Sequence, residues 1–217
     1  MLPQEFFTKI VEEYHLARCP VLASQKIVRG RSRSVSALAE EAFAGFLVDN
    51  DQSIQQIFVD QPFTTASPVD GKKRTTYPDL AVVKSDEIVA LFDFKMDMGW
   101  NRNGLDEICK KHNQFVLGVR GMQLSYSPKS APKSDKPISV NVSRGCTYDI
   151  IIATSMNWNK AGVNQLTSIS EVYDAVSAYL LSEGTHPNDR DFKKVEDVVA
   201  SLKIRHNDFE QILSKMR

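Results

Sequence analysis

YPDLAVV at residues 77–83, KSDE at 84–87 and IVALFDFK at 88–95 decide how this 217-residue chain folds. The two outer runs are rich in Val, Leu, Ile and Phe, and the four-residue polar break between them reads as the turn of a β-hairpin. Asp79 stands at the mouth of the first strand, and Asp93 and Lys95 stand at the end of the second. Side chains alternate across a strand, so Asp93 and Lys95 project from one face while Phe94 points away. A hairpin is what brings Asp79 beside Asp93, across fourteen positions of chain. Asp97 would extend the same face if the strand continued, but Met98 and Gly99 mark its end.

Two carboxylates and an ammonium on one sheet face are costly to hold together, because close carboxylates repel unless a proton or cation intervenes. A hard divalent cation such as Mg²⁺, with Mn²⁺ as a substitute, answers that need by taking carboxylates, waters and phosphate oxygens. It polarises a phosphate and lowers the pKa of a bound water. Lys95 would then orient or deprotonate the water, or neutralise charge as it builds on phosphorus. Against this, an aspartate often caps a turn, and an Asp-x-Lys triplet arises readily by chance. Each feature alone is explained that way. Their joint occurrence on adjacent strands, with the charges ending an otherwise apolar run, favours a site.

Outward from the hairpin, residues 3–17 place Phe6, Phe7, Ile10, Val11 and Tyr14 at helical spacing. A basic, serine-rich arm follows at 19–34. A second helix is expected over Val35–Val48, with Ser34 as N-cap and Leu38, Ala42, Phe43, Phe46 and Leu47 on its apolar stripe. Ile54–Val59 has strand composition, and 62–76 reads as turn or loop. Beyond the hairpin, 104–117 is expected as a helix, with Leu105, Ile108, Cys109, Phe115 and Val116 as its apolar positions. Residues 125–144 are expected as a long surface loop, 148–154 as a buried strand, and 168–182 and 190–215 as helices. No repeat or sharp break in composition divides the chain, so one domain over 1–217 is expected.

The pieces YPDLAVV and IVALFDFK, preceded by a helix bearing ALAEEAFAGFL (37–47), resemble the PD-(D/E)XK superfamily of restriction-endonuclease-like nucleases. The resemblance implies an α/β fold with an α-β-β-β-α-β core over about 35–156. Its central mixed sheet would be flanked by helices, with an N-terminal helix and arm (1–34) and C-terminal helices (about 165–217) added. It assigns metal binding to Asp79 and Asp93, a catalytic role to Lys95, and a third acid to the first core helix. Glu40 suits that place better than Glu41, since Phe43 and Leu47 follow it at three and seven positions. Both glutamates border the apolar stripe, on opposite sides. The implied activity is Mg²⁺-dependent endonucleolytic cleavage of DNA, double-stranded by expectation, in a restriction or defence setting and by a homodimer.

The charge balance is neutral, with 27 Lys and Arg against 27 Asp and Glu. A nucleic-acid binder is usually basic, but phosphate contact needs only a local positive strip. Candidates for such contact are Arg31 and Arg33 before the second helix, then Lys72, Lys73 and Arg74, and Arg102 beyond the metal strand. Taken singly, each cluster is better explained as a solvated loop or helix face. Three scattered cysteines fit a reducing, cytoplasmic setting rather than a disulfide framework. No apolar run is long enough to span a bilayer and no secretory leader is evident, so no membrane partner is expected. The four histidines lack metal-ligand spacing, and neither a Gly-rich phosphate loop nor a nucleophile elbow is present.

Overall fold

The computed structural model describes residues 1–18, 34–66, 73–99, 104–128, 136–158, 163–191 and 194–216. Helices α1 (Pro3–Arg18) and α2 (Ser36–Asn50) lead into strands β1 (Gln56–Val59), β2 (Phe63–Ala66), β3 (Lys73–Thr76), β4 (Leu80–Lys84) and β5 (Glu87–Lys95). Helix α3 (Gly104–Val119), β6 (Gln123–Tyr126) and β7 (Ile138–Ile152) follow. The C-terminal part comprises α4 (Leu166–Val172), β8 (Ala178–Leu180), β9 (Ser182–Gly184), α5 (Val195–Ser201), β10 (Leu202–Ile204) and α6 (His206–Lys215). The main sheet runs β1-β4-β5-β7-β6-β2-β3, with β8 also paired to β7. It is mixed: β7 runs parallel to β5 and β8, and the other pairings are antiparallel.

The hairpin forms as its composition dictates. Its turn is tighter than the polar break suggests, since only Ser85 and Asp86 separate β4 from β5. Both have positive φ, 48° and 62°, the left-handed backbone that a two-residue hairpin of matching twist requires. A register shift between Val82 and Val83 interrupts the alternation. Ile88 therefore packs into one core and Ala90 into the other, although two residues apart on an even strand share a face.

Helices cover both faces of the sheet. On one, α1, α2 and α6 pack an aromatic cluster over Leu80, Val82, Phe92 and Phe94. Phe6 at its centre meets Phe7, Phe43 and Phe209 edge-on, and Phe46 and Phe209 lie 4.9 Å apart. On the other face α3 and α4 cover Ile150, Ile152, Ala178 and Leu180. The sheet also curls. Phe58 on β1, at one edge, packs against Phe63 on β2 and Tyr126 on β6 near the other. Helix α6 is pinned by Lys215, whose Nζ donates to buried Asp149 on β7 at 2.7 Å.

Several expectations are overturned. Residues 63–66 and 73–76 form the β2–β3 hairpin instead of a loop. The expected loop at 125–144 contains the end of β6 and the first half of β7, paired from Gln123 opposite Asn141 to Tyr126 opposite Ile138. The expected helix at 168–182 stops at Val172 and gives way to β8, and 190–215 is divided by β10. Apart from β7, whose first half is polar, these strands are only three or four residues long, so their formation rests on pairing with distant partners rather than on local pattern. Val35, not Ser34, occupies the N-cap of α2, and no side chain caps that end. Among the described residues no helix is long and apolar enough to cross a membrane.

Candidate active site

The hairpin register pairs Leu80 with Phe92, which leaves Asp79 opposite Asp93 just beyond the paired ladder. There the Asp79 side chain takes over from the ladder. Its Oδ2 accepts the backbone N–H of Phe94 at 2.6 Å. Lys95 Nζ contacts Asp93 Oδ1 and lies 3.8 Å from Asp79 Oδ2. Residues fourteen and sixteen positions apart in the chain thus meet in one group. Phe94 turns into the aromatic core on the opposite face, as alternation requires.

Glu40 reaches the group from α2. It is almost wholly buried, and Ser36 Oγ, one turn earlier, donates to its Oε1 at 2.9 Å. Glu41 is exposed. Glu40, Asp79 and Lys95 line an open cleft of about 410 Å³ with Tyr14, Ser36 and Asp97. Asp93 is less exposed than Asp79 and does not line it.

Electrostatics divide the two aspartates. Burial, then the hydrogen bond and like charge of Asp93, push the Asp79 carboxyl up to about 7. Burial acts on Asp93 in the same sense. There it is outweighed by the hydrogen bond from His112, the charge of Lys95 and the bond to Asp79, which hold Asp93 well below the usual carboxylate range. Burial works to lower the Lys95 ammonium, but Asp93 first, then Asp79 and Glu40, hold it above its ordinary value. Burial raises Glu40, against the bond from Ser36.

Among the described residues no three His, Cys, Asp or Glu side chains are arranged to hold a metal ion. The donor chemistry of the two aspartates nonetheless suits a hard cation. Two adjacent carboxylates of like charge oppose each other's ionisation, which a divalent ion between them would relieve, and Mg²⁺ typically takes one or two carboxylates and keeps several waters. Asp79 and Asp93 are the residues that would hold it, with Glu40 lining the same cleft as Asp79.

Two neighbours were not anticipated. His112 on α3 places Nε2 3.2 Å from Asp93 Oδ2, and its ring stacks on Tyr148 of β7 with centroids 3.8 Å apart. A signal for it exists: His112 falls on the buried stripe Leu105, Cys109, Val116, Val119, at a position where an apolar residue is expected. His186, at the Asp97 end of the cleft, lies 3.5 Å from that carboxylate and packs edge-on against Tyr14. Its Nδ1 accepts the N–H of Asn188, so Nε2 carries the hydrogen facing Asp97.

Of the expected nucleic-acid contacts, only Lys73 and Arg74 fall among the described residues. Arg74 is exposed on β3 and does not line the cleft. Lys73 opens β3. Arg31, Arg33, Lys72 and Arg102 lie outside the described residues. Comparison of the chain with protein-family models, curated proteins and solved structures finds no match in any of the three.

Proposed function

We propose that this chain is a divalent-metal-dependent endonuclease of the PD-(D/E)XK type, hydrolysing phosphodiester bonds of DNA. The meeting of Asp79, Asp93 and Lys95 at the open end of the β4–β5 hairpin carries the reading. The arrangement around it supports it: α2, then β1, β4 and β5 as antiparallel neighbours, then α3 and a parallel β7. This matches the α-β-β-β-α-β order of restriction-endonuclease-like cores. On that view β2–β3 and β6 are insertions, and the whole chain acts as one nuclease domain. Mg²⁺ is the proposed cofactor, Mn²⁺ a substitute, and double-stranded DNA the substrate. A homodimer in a restriction or defence role, in the cytoplasm, extends the proposal.

In the hydrolysis a water oxygen forms a new bond to phosphorus as one ester P–O bond breaks. The water gives up a proton, and the departing oxygen takes one up. A cation held by Asp79 and Asp93 would supply Lewis-acid polarisation of the phosphate and acidification of water. Lys95, kept as an ammonium by Asp93, donates to the attacking water or to a non-bridging oxygen as negative charge accumulates. Glu40 lines the same cleft and would orient water there.

The test is incubation of supercoiled and linear DNA with the pure protein and Mg²⁺ or Mn²⁺. Cleavage is expected, with a loss of about 10²-fold or more in Lys95→Ala, the size seen when one charge-stabilising donor is removed. Intact DNA with both proteins removes the enzymatic reading.

A second reading is a non-catalytic nucleic-acid- or protein-binding module on the same fold. The observation that favours it is the self-satisfied cluster, in which Lys95 already contacts Asp93 and Asp79 already accepts the backbone N–H of Phe94. It predicts no uptake of Mn²⁺ in calorimetry. The nuclease reading predicts uptake that disappears in Asp79→Ala.

A further inference from the structure

Asp93 is held at both oxygens. Oδ1 contacts the Lys95 ammonium, and Oδ2 faces Nε2 of His112 at 3.2 Å. An ionised carboxylate only accepts, so Nε2 carries the hydrogen of that bond. The imidazole has little freedom to leave. It lies flat on Tyr148, with ring planes 15° apart. Tyr148 is itself buried and braced edge-on by Phe115. The other side of the ring's anchorage is α3, whose buried stripe places His112 between Cys109 and Val116. A polar ring set among buried residues is costly unless its N–H finds a partner, and the partner here is Asp93.

We propose that His112 is a positioning residue for a divalent cation held by Asp79 and Asp93. By fixing Oδ2 it sets the plane of the Asp93 carboxylate, so that Oδ1 stays turned toward Lys95, whose ammonium also lies 3.8 Å from Asp79. A free carboxylate would sample several orientations, of which few present an oxygen to the same point as Asp79. Hydrogen bonds that orient a metal-binding side chain typically change metal affinity 10–100-fold when removed. The inference rests on the metal-binding reading of the two aspartates and names a residue that reading does not contain.

The test is titration calorimetry of the full chain with Mn²⁺, on wild type, Asp79→Ala, His112→Phe and His112→Gln, with circular dichroism to confirm folding. Phe keeps the stack on Tyr148 and removes the N–H, and Gln places an N–H near the position of Nε2. His112→Phe is expected to weaken Mn²⁺ binding about 10–100-fold, and His112→Gln to restore most of it. Recovery with Gln separates the hydrogen bond from any effect of packing. Unchanged affinity in His112→Phe, while Asp79→Ala abolishes binding, overturns the role of His112 and leaves the metal reading standing. Equal weakness of the Phe and Gln variants overturns it as well, because the ring and not its N–H is then responsible. Absence of Mn²⁺ binding in wild type defeats the metal reading, and this inference with it. If His112→Phe does not fold, His112→Leu carries the same comparison.

Discussion

Replacing Asp79 by Asn is expected to stabilise the metal-free protein at alkaline pH and to abolish its stabilisation by Mn²⁺. The asparagine amide oxygen can still accept the Phe94 N–H that Asp79 Oδ2 accepts at 2.6 Å. Its NH₂ can donate to Asp93 as a protonated Asp79 would, so the opposing contribution of Asp93 is common to both proteins and cancels. What changes is the cost of ionising Asp79. Its carboxyl is raised from an ordinary 3.8 to about 7, so between those values the folded state keeps a proton that the unfolded chain has released. Wild-type stability from this group is therefore present below pH 3.8 and lost as pH rises toward 7. At 1.36 kcal/mol per pH unit the full loss is about 4 kcal/mol. With 24% of the side chain exposed, water screens part of it, and about 2 kcal/mol is the working figure. For a chain of this length that is roughly 4–8 °C in melting temperature. Thermal melts at pH 8 should place Asp79→Asn above wild type, and melts near pH 4 should bring the two together. Mn²⁺ at a hundredfold excess over its dissociation constant should raise wild type by about 2.7 kcal/mol and leave the variant unmoved. A variant less stable than wild type by the same amount at both pH values would refute the electrostatic argument. Equal stabilisation of both proteins by Mn²⁺ would refute the metal assignment.

Other expectations concern single features. The turn residues Ser85 and Asp86 occupy left-handed backbone at φ 48° and 62°, so the Ser85→Asn, Asp86→Gly double variant should gain about 1 kcal/mol in urea denaturation. Phe209→Ala removes a ring packed against Phe6, Phe7 and Phe46 and should cost about 3–5 kcal/mol in the same measurement. Burial, against the pull of Asp97, lowers the pKa of His186. The unfolded chain therefore takes up a proton below its ordinary value of 6.5 that the folded chain refuses, and stability falls as pH drops through that region. His186→Gln should flatten the change in urea midpoint between pH 7 and pH 5.

What the chain determines by local pattern is the part that strand alternation, helical spacing and turn chemistry can specify. The run from 77 to 95 needs no distant partner to say that it is a hairpin, that Asp93 and Lys95 share a face, or that Asp79 comes opposite Asp93. Helices α1 and α3 are legible for the same reason, since each carries an apolar stripe, whereas α2 is apolar on several sides and leaves Leu38, expected on its buried stripe, exposed. Tertiary structure alone decided the remainder. Strands β2, β3, β8, β9 and β10 have three or four residues each, too few to carry a period, and they exist because other strands complete their hydrogen bonds. The first half of β7 reads as a polar connection until Glu87 and Ile88 on one side and β6 on the other supply its partners. Glu40 and Glu41 are near equals on a helical wheel, and only the packing of α2 against the sheet turns one into the cleft and leaves the other in solvent. The contact between His112 and Asp93 joins a helix to a strand nineteen residues earlier. No local rule contains it, because its energy arises only when the ring is desolvated against Tyr148 and must find an acceptor.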